Sequence, residues 1–283
     1  RISDRVTLNL GVRWEPFFGQ QMSAGEVTIF SQENFDRGVK STVFKNAPAG
    51  LIYPGDAGFP GGKTGLKKQW LNISPRLGVA WDVSGNGRTA VRASYSLAYD
   101  FPSAEINFIN ATSPPFGNRL TLNNPPGGLD DPYGHFEGGD PHPILTNADI
   151  VYPPFGSVGT IDPNANSPRV QSWNVTVEQQ FGDVWQGAVS YLGRYTDRIW
   201  GSVELNPGTF FGSGRCTIAG PDGTSTTFTR CNTTASLNQR RVLYLQNPDE
   251  GQFLSNVNRY TDIGESEYRG LKLSLRRRAA SGV

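Results

Sequence analysis

The chain predicts an all-β fold: an antiparallel up-and-down meander of about six long strands joined alternately by tight turns and long loops. Three observations predict it. Apolar and polar residues alternate strictly over about ten residues in each candidate strand, which gives one apolar and one wet face. The connections run long, short, long, short, long, and aromatic residues gather at the ends of the apolar faces.

Residues 5–14 (RVTLNLGVRW) set Val6, Leu8, Leu10, Val12 and Trp14 against Arg5, Thr7, Asn9 and Arg13, and Pro16 ends the strand. Residues 15–70 form the first long loop, polar, with β-prone pieces at Glu26 to Phe30 and Val39 to Lys45 and a Pro/Gly-rich run APAGLIYPGDAGFPGG. Residues 71–83 and 89–100 are the most regular pair. Leu71, Ile73, Leu77, Val79 and Trp81 share one face of the first; Val91, Ala93, Tyr95, Leu97 and Tyr99 share one face of the second. Between them, Ser84-Gly85-Asn86-Gly87-Arg88 supplies residues that tolerate positive φ, so the hairpin closes tightly.

The second long loop, 101–168, is dense in Pro, Gly and Asn. Residues 169–181 and 185–195 make a second hairpin across Gly182-Asp183, with Trp173, Val175, Val177 and Phe181 on the same face as Trp185, Val189, Tyr191 and Tyr195. A third loop, 196–264, precedes the last strand, 267–278, in which Leu271, Leu273 and Leu275 alternate with Gly270, Lys272, Ser274 and Arg276.

Composition narrows the class. With a mean hydropathy of −0.42 and no run of about 18 apolar residues, a transmembrane helix is excluded, whereas a transmembrane β-barrel dilutes its apolar residues with polar ones and stays open. A net charge of +1 over 283 residues argues against a nucleic-acid surface. Cys216 and Cys231, set in a Gly/Thr/Ser-rich stretch, suit one loop-stapling disulfide in an oxidising compartment, with two unrelated thiols as the alternative. Two such ligands alone make a poor zinc site. The first residue is Arg and the last residues open another turn, so the chain is expected to be an interior fragment of a longer protein.

Loop order decides between soluble and membrane β-folds. Structureless loops beyond about 12–15 residues are uncommon in compact domains. Three long excursions in strict alternation with tight turns match the short periplasmic turns and long extracellular loops of outer-membrane barrels. Trp14, Tyr99, Trp173 and Tyr195 then sit beside the long loops, and Trp81, Phe181 and Trp185 beside the short turns, as two interfacial girdles. The opposite faces carry Arg13, Arg76, Arg92, Glu178 and Lys272, with Arg5 and Arg276, as lumen-facing charges.

Chemistry leaves little trace. Both histidines, His135 and His142, fall in one loop, and there is no GxSxG elbow, Walker motif or paired-carboxylate motif, so no enzyme is expected. LDDPYGHFEGGDPHP gathers Asp130, Asp131, His135, Glu137, Asp140 and His142, but the spacing fits no EF-hand and reads as a hydrated loop; no metal or cofactor is assigned. Tyr53, Phe59, Phe116, Tyr133, Phe136, Tyr152 and Phe155 are candidate ligand-gripping rings in the loops; the alternative is that they pack the loops on one another.

Taken together, DRVTLNLGVRWEP, NAPAGLIYPGDAGFPGG, NISPRLGVAWDVSGNGRTAVRASYSLAYD, VQSWNVTVEQQF with WQGAVSYLGR, and YRGLKLSLRRR resemble the C-terminal barrel of TonB-dependent outer-membrane receptors of the Oar-like group. The resemblance runs in order across nearly all of residues 1–283 and is most specific at SPRLGVAWD. It implies a barrel of about 22 strands filled by a plug, of which this chain supplies part. It also implies a TonB complex as partner through N-terminal parts, outer-membrane lipid around the strands, and import of an extracellular ligand (peptide, glycan or chelate). Two rivals stand beside it: a surface adhesin or assembly scaffold without transport, and a secreted carbohydrate-binding sandwich. The sandwich would bury Val6, Leu8, Val79, Val175 and Leu273 between two sheets; the barrel points them at lipid.

Overall fold

The computed structural model of the protein describes residues 2–103, 105–117, 127–134, 136–139 and 147–278. In chain order the strands are β1 (Val6–Trp14), β2 (Ile29–Phe30), β3 (Leu51–Ile52), β4 (Ile73–Asp82), β5 (Thr89–Tyr99), β6 (Gly156–Ile161), β7 (Arg169–Phe181), β8 (Trp185–Glu204), β9 (Cys216–Ala219), β10 (Ser225–Phe228) and β11 (Leu254–Arg277). Seven form one sheet in the order β1-β4-β5-β7-β8-β11-β6. All its neighbours are antiparallel except β6, which runs parallel to β11, a departure from a pure meander.

Register follows the alternation. Leu8 lies opposite Val79 and Leu10 opposite Leu77; Val79 in turn meets Ala93, Ala93 meets Val175, and Val175 meets Tyr191. The apolar residues thus form continuous rows on one face. No second sheet covers that face among the described residues: Val12 is 76% exposed and Leu273 70%. That is the opposite of what a sandwich requires. The turn between β4 and β5 is held by Asp82, whose carboxylate accepts from the N–H groups of Gly85 and Gly87, both at 2.9 Å. Those glycines have φ of +73° and +75°, where a side chain would be strained.

Two strands depart from the lengths that alternation suggests. β8 has 20 residues and β11 has 24, so each continues well into the segment read from sequence as the loop 196–264. About 9–11 residues cross a bilayer, so this ribbon projects roughly ten residues past the others. Register shifts between Thr261 and Gly264 and between Gly264 and Ser266, with Arg198 at φ +59°, mark bulges where the projection begins.

Around the projection the three long connections fold into a cap with its own core. Phe30, Phe35, Phe44, Leu51 and Tyr53 of the first connection pack with Ile150, Tyr152 and Val158 of the second, with Leu243 of the third, and with Leu254 and Val257 at the start of β11. Val39 to Lys45 is not a strand. It is a turn wrapped about Asp56, whose carboxylate accepts from Ser41 Oγ (2.6 Å), Thr42 N (2.7 Å), Thr42 Oγ1 (2.8 Å), Tyr53 N (2.9 Å) and Val43 N (3.3 Å). Glu250 ties the connections together, pairing with Lys40 at 2.7 Å and accepting from Ala49 N at 2.8 Å. A side arm holds the β9/β10 hairpin and the bonded Cys216–Cys231 pair, Cα atoms 5.5 Å apart.

Candidate functional site

Alternation places every second residue of β1, β4, β5, β7, β8 and β11 on the polar face, and this wall is the candidate site. Arg92 on β5 and Glu178 on β7 pair across it at 3.5 Å, and Thr176 donates to Ser190 at 2.9 Å. Arg13 pairs with Glu15 at 3.1 Å, and Ser74 donates to the same carboxylate at 2.6 Å. Arg76, Lys272 and Arg276 stand on this face by register, opposite Gly11, Ser190 and Gln186. Ser94, Ser96, Ser172, Asn174, Thr176 and Lys272 line an open hollow of about 640 Å³, and Glu178, Gln186, Lys272 and Arg276 border another of about 230 Å³. Hydroxyls, amides and excess cations make a surface that hydrogen-bonds polar solutes and attracts anionic ones.

On the apolar face the aromatic positions fall in two bands. At the loop end Trp14 stacks on Trp70 with centroids 6.4 Å apart, and Trp70 meets Phe18 edge-on at 4.8 Å. Trp70 and Phe18 extend the upper band beyond the residues that alternation identifies, because the Phe17–Gln69 bridge brings them beside Trp14. Tyr99 lies opposite Arg169, and Arg169 forms an ion pair with Asp197. The Trp173 ring lies over Gly193, where a Cβ would come within 2.3 Å of it. Tyr195 donates to Glu265 at 2.7 Å. At the turn end Phe181 faces Trp185, and Trp81 lies opposite Val91.

Most of the loop rings pack the loops on one another, the alternative to gripping a ligand. Tyr53 is 0% exposed, and its hydroxyl meets that of Tyr152 at 2.9 Å, which satisfies both groups inside the core. Burial raises both phenol pKa values well above the ordinary range. Phe116 packs edge-on against Phe44 and Tyr53, each with centroids 5.8 Å apart. Phe59 joins the Phe17–Val27–Leu66 cluster, and Phe155 sits 5.9 Å from Tyr244 in the side arm. Aromatic rings bury enough area to hold loops together, and here they do so. Tyr133 is half-buried and Phe136 exposed, in the Gly-rich turn. His135, Asp140 and His142 lie outside the described residues, among which no group of three or more His, Cys, Asp or Glu could hold a metal.

Sequence reasoning missed Asp56. Burial raises its pKa, but the hydrogen bonds from Ser41, Tyr53 N and Thr42 outweigh that, and the carboxyl is held below the ordinary value. The only signal was a lone acid inside a Pro/Gly run.

All 283 residues match the model of the outer membrane beta barrel domain family. Solved structures similar to the chain include the outer membrane transporter YddB from Escherichia coli, at 11% identity and a TM-score of 0.37, covering 73% of this chain and 17% of that one. The siderophore receptor PirA from Pseudomonas aeruginosa matches at 14% identity and 0.29, covering 74% and 25%. A double mutant of the Serratia marcescens hemophore receptor HasR, in complex with its hemophore HasA and heme, matches at 11% and 0.34, covering 97% and 30%. The chain therefore spans less than a third of each of these proteins. No curated protein matches it. The chain belongs to the outer membrane beta barrel domain family, and its place is the bacterial outer membrane.

Proposed function

We propose that the chain is part of an Oar-like TonB-dependent receptor of about 22 strands that takes up an extracellular ligand. In this reading the cap meets the ligand outside the cell and the polar wall, with Arg13, Arg76, Arg92, Glu178 and Lys272, lines the lumen. A TonB complex on the periplasmic side supplies the energy, and the process is conformational, with no covalent chemistry. One observation carries the reading. All three long connections converge on one folded cap, at the end of the sheet opposite the tight turns. The family resemblance of SPRLGVAWD and the neighbouring stretches supports it. The apolar rows, bounded by Trp14 above and Trp185 below, then face lipid.

Single cysteines at Glu33 in the cap and Asn86 in the β4–β5 turn test it in the intact protein, since Cys216 and Cys231 are already bonded. Recovery in the outer-membrane fraction, with an impermeant maleimide reacting at position 33 but not at 86 on whole cells, is the expected result. Reaction at both positions, or at 86 alone, would sink the orientation. Uptake that persists after TonB is deleted would sink the TonB-dependent reading, and the absence of any uptake would leave the scaffold reading in its place.

A further inference from the structure

We propose that the turn end of the apolar face binds one anionic phospholipid, with its phosphate on Arg277 and an acyl chain in the notch above Gly187. The proposal rests on the apolar face being lipid-facing.

Register sets out the site. Phe181, Trp185 and Arg277 lie side by side in the last row of the face; Gln179, Gly187 and Leu275 form the next row up. The Arg277 guanidinium sits over the Trp185 ring, 5.8 Å from its centroid. Stacking of this kind fixes a cation that would otherwise sweep a wide arc, and leaves its planar fork free for a phosphate. Above it, Gly187 contributes no side chain. The space is an apolar hollow of about 430 Å³ bounded by Val177, Phe181, Val189, Leu273 and Leu275. A Cβ at position 187 would meet the Phe181 ring at 3.0 Å, so that ring forms one wall of the notch. Gln179 does not fill it, because its side chain is held by Thr89 and by the carbonyl of Gln180.

Charge fits an anionic occupant. Arg276 and Arg278 border the adjoining polar hollow of about 400 Å³ with Arg277 itself, while Arg88 there is paired with Asp183 at 3.7 Å and Glu178 also lines it. At the other end of the same face, Arg169 is paired with Asp197 and Arg269 with Glu267, so those cations are already neutralised. Arg277 rests on an indole instead. An arginine whose stem runs along apolar surface and whose head reaches the headgroup layer is placed for a lipid phosphate. The occupant is a membrane phospholipid, not a soluble anion, because the notch opens onto the lipid-facing rows.

The test uses the intact protein in mixed micelles of equal phosphatidylglycerol and phosphatidylethanolamine, with retained lipid counted by native mass spectrometry. Wild type is expected to retain phosphatidylglycerol preferentially, and Arg277→Gln to lower that preference by about fivefold, the worth of one cation at an anionic surface. Arg277→Lys should restore part of it. Gly187→Leu fills the notch, so retention of both lipids should fall while their ratio holds. An unchanged ratio in Arg277→Gln, or unchanged retention in Gly187→Leu, overturns the site. So does inorganic phosphate binding in lipid-free detergent that depends on Arg277. A spin label at Leu273 that collides with an aqueous nickel complex rather than with oxygen would overturn the lipid-facing reading, and the site with it.

Discussion

The sheet and the cap use the same apolar residue types and treat them in opposite ways. On β1 and β11 the leucines and valines stand uncovered, Leu10 being 68% exposed. In the cap, Leu51, Val27 and Tyr53 are sealed from any solvent. The difference is the medium each region expects. In the proposed reading the sheet's apolar rows face lipid, and its internal order comes from the backbone ladder, which every spanning strand must complete. The cap has an interior of the ordinary kind, in which buried polar groups such as Asp56 and the Tyr53–Tyr152 pair find partners, though Thr28 Oγ1 and Asn110 Nδ2 do not. Hydrophobic residues therefore report two different things in one chain, and register decides which.

Truncation of a core ring should separate the regions most sharply. Phe35, 1% exposed and 6.0 Å from Phe30, is expected to cost about 3–5 kcal/mol when changed to Ala. Hydrogen exchange should show the amides of residues 28–52 opening faster, with those of β7 unchanged. Faster exchange in β7 as well would mean that cap and sheet unfold as one unit.

Leu273→Arg probes the other side of the comparison. A cation facing the bilayer midplane costs about 2–4 kcal/mol, read as a lowered urea midpoint in lipid vesicles, whereas Thr226→Arg on the exposed β10 should be nearly silent. Equal effects at the two positions would break the distinction between lipid-facing and water-facing surface.

Asp56→Asn sharpens the comparison further. Losing the charge acceptor of a buried turn should cost the cap about 1–3 kcal/mol. Its folded pKa lies below the unfolded value, so its contribution is complete above about pH 4 and is lost as pH falls through the folded pKa. Cap exchange should accelerate in acid for wild type, and the Asn variant should lack that component. A wild-type cap indifferent to acid would show the carboxylate to be dispensable.

How much of this was legible in the sequence follows from the same physics. The sheet core was readable wherever one face is apolar and the other polar, as at Leu271–Lys272–Leu273, because period two is then imposed residue by residue. The upper parts of β8 and β11 were not. There the bulges near Gly264 break the period, and the cap covers positions such as Val257 and Thr261, so alternation has no constant meaning. The cap itself was hidden because its contacts join segments far apart. Nothing local distinguishes Tyr53, buried, from Phe136, exposed; both are rings among glycines. On the polar face, Arg92 and Glu178 were legible as residues of one wall, but their pairing depended on the β5–β7 register across a long connection.

The cap's hydrogen bonds carry a consequence for the order of assembly. The Ala49 N–H reaches Glu250 across 201 residues, the Phe30 N–H reaches Thr160 across 130, and the Tyr152 hydroxyl reaches Tyr53 across 99. Closing such separations in a free chain is slow, whereas each tight hairpin joins neighbours at once. The meander shortens those distances as it forms, so the cap can condense only after the strands have docked. A finished cap is thus a completion mark, and a chain stalled partway through insertion would display its long connections as open, protease-sensitive tethers.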